Sequence, residues 1–304
     1  MRGEDSTTLQ KILLESQVES GLSSLILTLS CLTIKISRIL KEFNLKHPNV
    51  DSSFADRTFN MIILQSLVNN KALRMVVSEE LSEPLETGLG RYAVAYDPLD
   101  GSRNIYTDGP MATVFSIHEE TVFKPGHMQV AAGYAIYSFD TKLILSIKGK
   151  VYGFVLDPKT EKYILTIREI KIPDTSRVYS VNESNYAVWL KDGYRRYIDW
   201  IKEKRRETEE LYNFRYTGSM AVDIHKVLME GGIFIYPGDK RRRTGKLRLL
   251  YEASPMAYIV VNAGGKASTG SQNILDVEPT EPHQKVPIVI GSKTEVERCL
   301  KFLR

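Results

Sequence analysis

Apolar residues recur along this chain with two different periods. Helical spacing dominates the start: Ser6 or Thr7 can cap a helix running toward Ser20, and Leu22–Phe43 continues with the same spacing until Pro48. Phe54–Asn69 reads as a third helix. The pattern then changes to short apolar runs bounded by turn residues. "ALRMVVS", "RYAVAYD", "MATVFSIHE", "QVAAGYAIYS", "LILSIKGKVYGFVLD" and "KYILTIREIKI" all read as strands, with turns at Lys148–Gly149–Lys150 and Asp157–Pro158. Turn-rich "IPDTSR" near Pro173 marks a boundary between residues 1–172 and 173–304.

Beyond that boundary the two periods interleave. "VYSVN", "GGIFIYP" and "VPIVIGS" read as strands. Between and after them come a charged surface helix at Asp192–Arg206, a helix at Gly218–Met229, a long helix at Lys246–Ala263 and a helical C-terminus. Helices interleaved with strands predict a layered α/β or α+β architecture rather than a bundle or a sandwich.

Composition narrows the function classes. The 304 residues are 42% hydrophobic and 26% charged, as in ordinary globular proteins, and a net charge of +4 suits an anionic small molecule better than nucleic acid. The basic run "KRRR" at Lys240–Arg243 lies between turn signals and reads as a solvated loop. Cys31 and Cys299 offer neither a disulfide framework nor a metal pair, which favours a reducing, cytoplasmic setting. "GLSSLILTLSCLTIKISRIL" at Gly21–Leu40 is the most apolar window, but its hydroxyls and Lys35 make it a buried amphipathic helix, so no membrane is expected. His47, His118, His127, His225 and His283 lack metal-ligand spacing.

Chemistry concentrates in the acids. "VVSEE" at Val76–Glu80 and "VAYDPLDGS" at Val94–Ser102 are strand-like runs that both end in carboxylates. Two such charges about 4 Å apart repel by roughly 4 kcal/mol at an effective dielectric near 20. Either the acids point into water or a cation sits between them. Pro98 biases Asp97 to extended geometry and is expected to end the strand there. Gly101 permits a tight turn, and Ser102 can start a short helix whose free amides favour a phosphate. If the two runs are neighbouring strands, Glu79, Glu80, Asp97 and Asp100 meet at one sheet end, where ligand sites commonly form. Carboxylates without histidine or cysteine select hard cations such as Mg²⁺ or Mn²⁺, and a pair of them can activate water against a phosphoryl group. "TGK" at Thr244–Lys246 lacks the upstream glycine of a P-loop.

The ordered series "SEE", "DPLDGS", "NESNY", "RYTGSM", "GGIFIYP" and "GKLRLLYEASPMAYIVVNAGG" resembles class I fructose-1,6-bisphosphatases over nearly the whole chain. The resemblance implies a layered αβαβα sugar-phosphatase fold. It assigns residues 1–172 to a regulatory-type domain carrying the metal-binding acids and 173–304 to a sugar-phosphate-binding domain. It further implies Mg²⁺-dependent hydrolysis (Mn²⁺ as alternative, two or more ions per site) of the 1-phosphate of fructose 1,6-bisphosphate, as in gluconeogenesis, by a homotetramer. Carried over by motif, Glu79, Asp97, Asp100, Glu252 and the Leu99 carbonyl hold metal, while Glu80 and Asp56 handle the attacking water. Gly101 and Ser102 bind the phosphate being removed. Asn182, Tyr186, Tyr216, Tyr236 and Lys246 form the pocket for the other phosphate, Arg215 reaches that pocket in a neighbouring subunit, and Met220 and Arg248 line the sugar and metal region.

Departures from the family pattern qualify this reading. Arg103 stands where the family usually has a serine, and the loop before Asp56 is short, with Asp51 one place off the loop's usual acid. The AMP-binding segment is reduced to "SGLS", the usual Lys-Tyr is Arg91–Tyr92 and a usual arginine is His127, so weak or absent AMP inhibition is expected. The chloroplast-type cysteine loop is absent. Rival readings are a sedoheptulose-1,7-bisphosphatase or dual-specificity enzyme, an inositol-phosphate phosphatase (disfavoured by "RYTGSM" and "KLRLLYE"), and an inactive phosphosugar-binding scaffold.

Overall fold

The computed structural model describes residues 7–47, 51–88, 90–207 and 211–304, so the expectations placed on Ser6 and Pro48 lie outside the described residues. Three helices open the chain: α1 (Leu9–Glu15), α2 (Ser20–Lys46) and α3 (Ser52–Leu67). The first is capped by the Thr8 hydroxyl and stops well short of Ser20, because Gln17 adopts a positive φ of 49°. By length and composition α2 could cross a bilayer, but half of that stretch is buried in the fold. Its Leu25, Ile26, Leu29 and Ile36 face the core while Lys35, Arg38 and Lys41 face solvent, as expected of an amphipathic core helix.

Eight strands form the first sheet: β1 (Leu73–Ser78), β2 (Leu85–Glu86), β3 (Tyr92–Asp100), β4 (Met111–Glu119), β5 (Gln129–Tyr137), β6 (Thr141–Ile147), β7 (Lys150–Asp157) and β8 (Lys162–Ile167). Their order is β2-β1-β3-β4-β5-β6-β7-β8. The run "KYILTIREIKI" is therefore a strand only in its first part. The rest of the chain supplies β9 (Val178–Val181), α4 (Asp192–Glu207), β10 (Asn213–Phe214), α5 (Met220–Glu230), β11 (Ile233–Tyr236), β12 (Leu247–Arg248), α6 (Ser254–Asn262), β13 (Lys266–Ser268), β14 (Lys285–Val286), β15 (Ile288–Gly291) and α7 (Lys293–Leu303). A second sheet runs β10-β9-β11-β15-β13, and β12 pairs with β14 alone.

Side-chain alternation along the strands sets the layers, since successive residues point to opposite faces. On β4, Met111, Phe115 and Ile117 pack with α1–α3, whereas Ala112 and Val114 join α5 and α6 on the other face. On β11, Phe234 and Tyr236 meet that same middle layer, and Ile233 and Ile235 pack with α4 and α7. The result is helices, sheet, helices, sheet, helices, the expected αβαβα stack. Lys240–Arg243 is exposed, its turn held by Asp239 Oδ1, which accepts from the amides of Arg241 and Arg242 at 2.8 Å each.

Two expectations near the acids need correction. The strand does not stop at Asp97 but continues through Pro98 to Asp100. Proline is accommodated because the β3–β4 register shifts between Asp97 and Asp100, so no ladder bond is asked of its missing N–H, and the Pro98 carbonyl accepts from Thr113 Oγ1 at 2.8 Å. The helix expected over Lys246–Ala263 begins instead as β12, passes through a π-helical turn at Leu249–Ala253 and becomes α-helical at Ser254.

Candidate active site

The parallel pairing of β1 with β3, Ser78 opposite Tyr96, brings the two acidic runs to the same sheet end. There the Glu79 amide donates to the Tyr96 carbonyl at 3.2 Å, and the Glu80 amide donates to Ser78 Oγ at 3.2 Å. A buried side-chain knot holds this corner: Ser78 Oγ and the Tyr96 hydroxyl both donate to Asn60 Oδ1, at 2.7 and 2.6 Å. Asn60 lies four residues after Asp56 on α3, so the two share a helix face and Asp56 is presented to the same corner. Asp51 caps that helix, accepting from the Phe54 amide at 3.0 Å.

Beyond Pro98 the chain turns sharply. Asp97 Oδ1 accepts from the Leu99 amide at 2.9 Å, and Asp100 Oδ2 accepts from Ser219 Oγ at 2.5 Å and from the Ala221 amide at 2.8 Å. Asp100 is thus seated on the first turn of α5, where the helix dipole favours an anion. Gly101 has φ 78°, and a Cβ there would lie 2.6 Å from Ser219 Cβ. Gly101→Ala should therefore cost about 1–3 kcal/mol from the left-handed backbone alone. It should also push Ser219 off Asp100; the thermal unfolding temperature should fall, and an unchanged one would show that the turn tolerates movement.

The third segment arrives from the π turn. Glu252 Oε2 accepts from the Arg248 amide at 2.7 Å, and the Arg248 guanidinium forms an ion pair with Glu79. Carboxylate oxygens of Asp97, Asp100 and Glu252 all lie within 4.8 Å of one another, and all three side chains are buried. At that separation two charges repel by roughly 3.5 kcal/mol at a dielectric near 20. Burial, then repulsion from Glu79, drives the pKa values of Asp97 and Glu252 well above the usual carboxylate range; that of Asp100 is also raised by burial, against the pull of Ser219 and the α5 amides. Asp56 is pushed up to about 7 by burial and by Glu80, and Glu80 is raised by burial and by Glu79. Such a nest of oxygen donors fits a hard divalent cation, which would reverse every one of these shifts.

These acids line a cleft of about 210 Å³ together with Leu99, Gly101, Ser102, Met220 and Arg248. Tyr216, Tyr236 and Lys246 line its other part, with Lys246 Nζ 5.8 Å from the centre of the Tyr236 ring. Asn182 stands behind them, its Nδ2 donating to the Tyr236 hydroxyl at 3.5 Å. Besides Asn182, two further sequence-derived residues are not among those lining the cleft. Tyr186 donates its hydroxyl to Asp199 at 2.6 Å, and Arg215 is exposed, donating to the Phe214 carbonyl at 2.9 Å. Sequence reasoning also missed two contributors. Ser219 reads simply as an α5 cap, and Asp223 as an acid complementing a helix start, yet Asp223 lines the cleft, binds the Thr217 amide at 2.9 Å and is raised to about 6 by burial.

Family models for the fructose-1-6-bisphosphatase N-terminal domain and C-terminal domain match residues 53–168 and 172–304. The class 1 fructose-1,6-bisphosphatase of Persephonella marina is 44% identical over 257 residues, covering 82% of this chain and 78% of the relative. The chloroplastic fructose-1,6-bisphosphatase of Spinacia oleracea is 39% identical over 281 residues, covering 83% and 67%. The holo form of Leishmania major fructose-1,6-bisphosphatase superposes with a TM-score of 0.92 at 35% identity, covering 98% of each chain.

Proposed function

Because the chain belongs to the fructose-1,6-bisphosphatase family, whose catalysis depends on metal, we propose that this cleft removes the 1-phosphate of fructose 1,6-bisphosphate, yielding fructose 6-phosphate and phosphate. The observation that carries the reading is the buried trio Asp97, Asp100 and Glu252 beside the Gly101–Ser102 turn, in one cleft with Tyr216, Tyr236 and Lys246. One part of the cleft suits a reacting phosphate and the other a phosphate that is only held.

Asp97, Asp100, Glu252 and Glu79, with the Leu99 carbonyl, would hold two or more Mg²⁺ or Mn²⁺ ions. Bound there, the ions would polarise a phosphoryl oxygen and acidify a water. The chain's own groups do the rest. Gly101 and Ser102 seat the 1-phosphate, and the Ser102 hydroxyl, donating to Asp56 Oδ2 at 3.1 Å, fixes that carboxyl beside it. Glu80 takes the proton of the attacking water. Asp56 is its proton partner, so that the proton taken from the water can return to the departing sugar oxygen. Met220 and Arg248 flank the sugar. Asn182, Tyr216, Tyr236 and Lys246 hold the second phosphate, while Tyr186 and Arg215 are assigned to it from the motif series alone, Arg215 across a homotetramer interface. The metal-bearing and sugar-phosphate-binding units divide at residues 172 and 173, and the setting is cytoplasmic, in keeping with two free cysteines.

Phosphate release from a panel of sugar bisphosphates and inositol phosphates, with Mg²⁺ and with a chelator, tests this. Fructose 1,6-bisphosphate should turn over fastest and the chelator should stop it. Faster release from sedoheptulose 1,7-bisphosphate would favour that rival, and silence on every substrate would favour a scaffold. AMP at micromolar concentration should not half-inhibit. The Leu22 amide at the start of α2 and the Tyr92 hydroxyl of β3 are already engaged, donating to the Glu19 carboxylate at 3.0 and 2.8 Å. Those bonds, with the Gly21 amide foremost, hold Glu19 down to about 2 and keep it ionised at working pH.

A further inference from the structure

We propose that Arg103 is a phosphate-binding residue of the cleft, gripping the reacting phosphate from the solvent side and making the protein sensitive to inorganic phosphate. The inference rests on the functional reading above and adds a contact to it.

Three cations line the cleft against seven carboxylates. Arg248 is committed to Glu79, and Lys246 lies over Tyr236 in the other part of the cleft. Arg103 is exposed and makes no hydrogen bond or ion pair with any described residue, although it lines the same cleft as all those acids. Its root is nevertheless rigid. Gly101 is wedged against Ser219, Ser102 is bonded to Asp56, and Asn104 Nδ2 donates to the carbonyls of Pro110 at 2.9 Å and Thr217 at 3.1 Å. Ile105, two residues on, is buried.

A fixed root with an uncommitted planar fork is the arrangement that recognises an oxyanion, because guanidinium donors pair two at a time with phosphate oxygens. The neighbouring carboxylates repel an incoming phosphate dianion, and a cation at this rim offsets that repulsion. The same contact remains when the product phosphate is bound, so it strengthens product inhibition along with substrate binding. A lysine would keep the charge and lose the fork.

Inhibition of fructose 1,6-bisphosphate hydrolysis by inorganic phosphate would be measured for the parent, Arg103→Ser and Arg103→Lys in Mg²⁺. The serine variant should raise both the phosphate inhibition constant and KM about tenfold, equivalent to about 1.4 kcal/mol. The lysine variant should fall between. Phosphate-free thermal unfolding should be the same for all three, since Arg103 holds no hydrogen bond or ion pair with any described residue. An unchanged inhibition constant in active Arg103→Ser would overturn the assignment. If the parent turns over no sugar bisphosphate, the functional reading fails separately. Calorimetric titration with inorganic phosphate then decides Arg103, and equal binding by parent and serine variant, or none by the parent, refutes it.

Discussion

Asp97→Asn should abolish most phosphate release while making the chelator-treated protein more stable. The two effects have one cause. Asp97 is buried within 4.8 Å of Asp100 and Glu252 and is further opposed by Glu79, so its charge harms the metal-free fold. An amide keeps the shape and the bond from the Leu99 amide, and removes the repulsion. Replacing a buried ion pair by well-packed neutral residues is often neutral or stabilising by about 1–4 kcal/mol, and relieving a cluster of like charges should act in the same direction. Turnover should fall by more than the ~10–100-fold seen when a residue merely supporting a metal ligand is lost. Thermal unfolding in chelator and phosphate release in Mg²⁺ check the pair. A variant that is both destabilised and active would mean that Asp97 serves packing rather than a cation.

Glu80→Gln should separate proton handling from metal binding. Glu80 is not one of the three clustered carboxylates; its backbone amide donates to Ser78 Oγ, which donates to Asn60, and its charge lies close enough to raise Asp56. Removing a general base slows a reaction by about 10²–10⁴-fold. The turnover number should fall within that range while the half-saturating Mg²⁺ concentration moves little. A large shift in the Mg²⁺ requirement with a preserved maximal rate would instead make Glu80 a ligand.

Much of the fold was legible because its periods are local. Strands β3 to β7 carry apolar residues on both faces and lie inside a stack, which is why they read as continuous apolar runs rather than as alternation. Helix α2 shows a polar stripe because only one of its faces meets the sheet. The errors fall where a distant segment overrides local preference. Pro98 carries a genuine strand-breaking signal, but a register shift and the Thr113 hydroxyl from β4 absorb it. Leu247 and Arg248 look helical until β14 pairs with them, and that pairing displaces the helix start to a π turn.

By itself the sequence determined which residue types are present for the chemistry: carboxylates without soft ligands, a glycine turn beside them, and aromatic and basic side chains downstream. Their order in a motif series identified the family. Tertiary structure alone decided which carboxylates share a cation-sized space. Helical spacing allowed Glu252 to face either solvent or a ligand, and only the π turn and the β12–β14 pair bury it against Asp97 and Asp100. The same holds for Ser219, an ordinary helix cap until folding sets its hydroxyl on Asp100, 119 residues away in sequence. Repulsion and coordination act through space over a few ångströms, and a linear sequence does not record distances between segments so far apart.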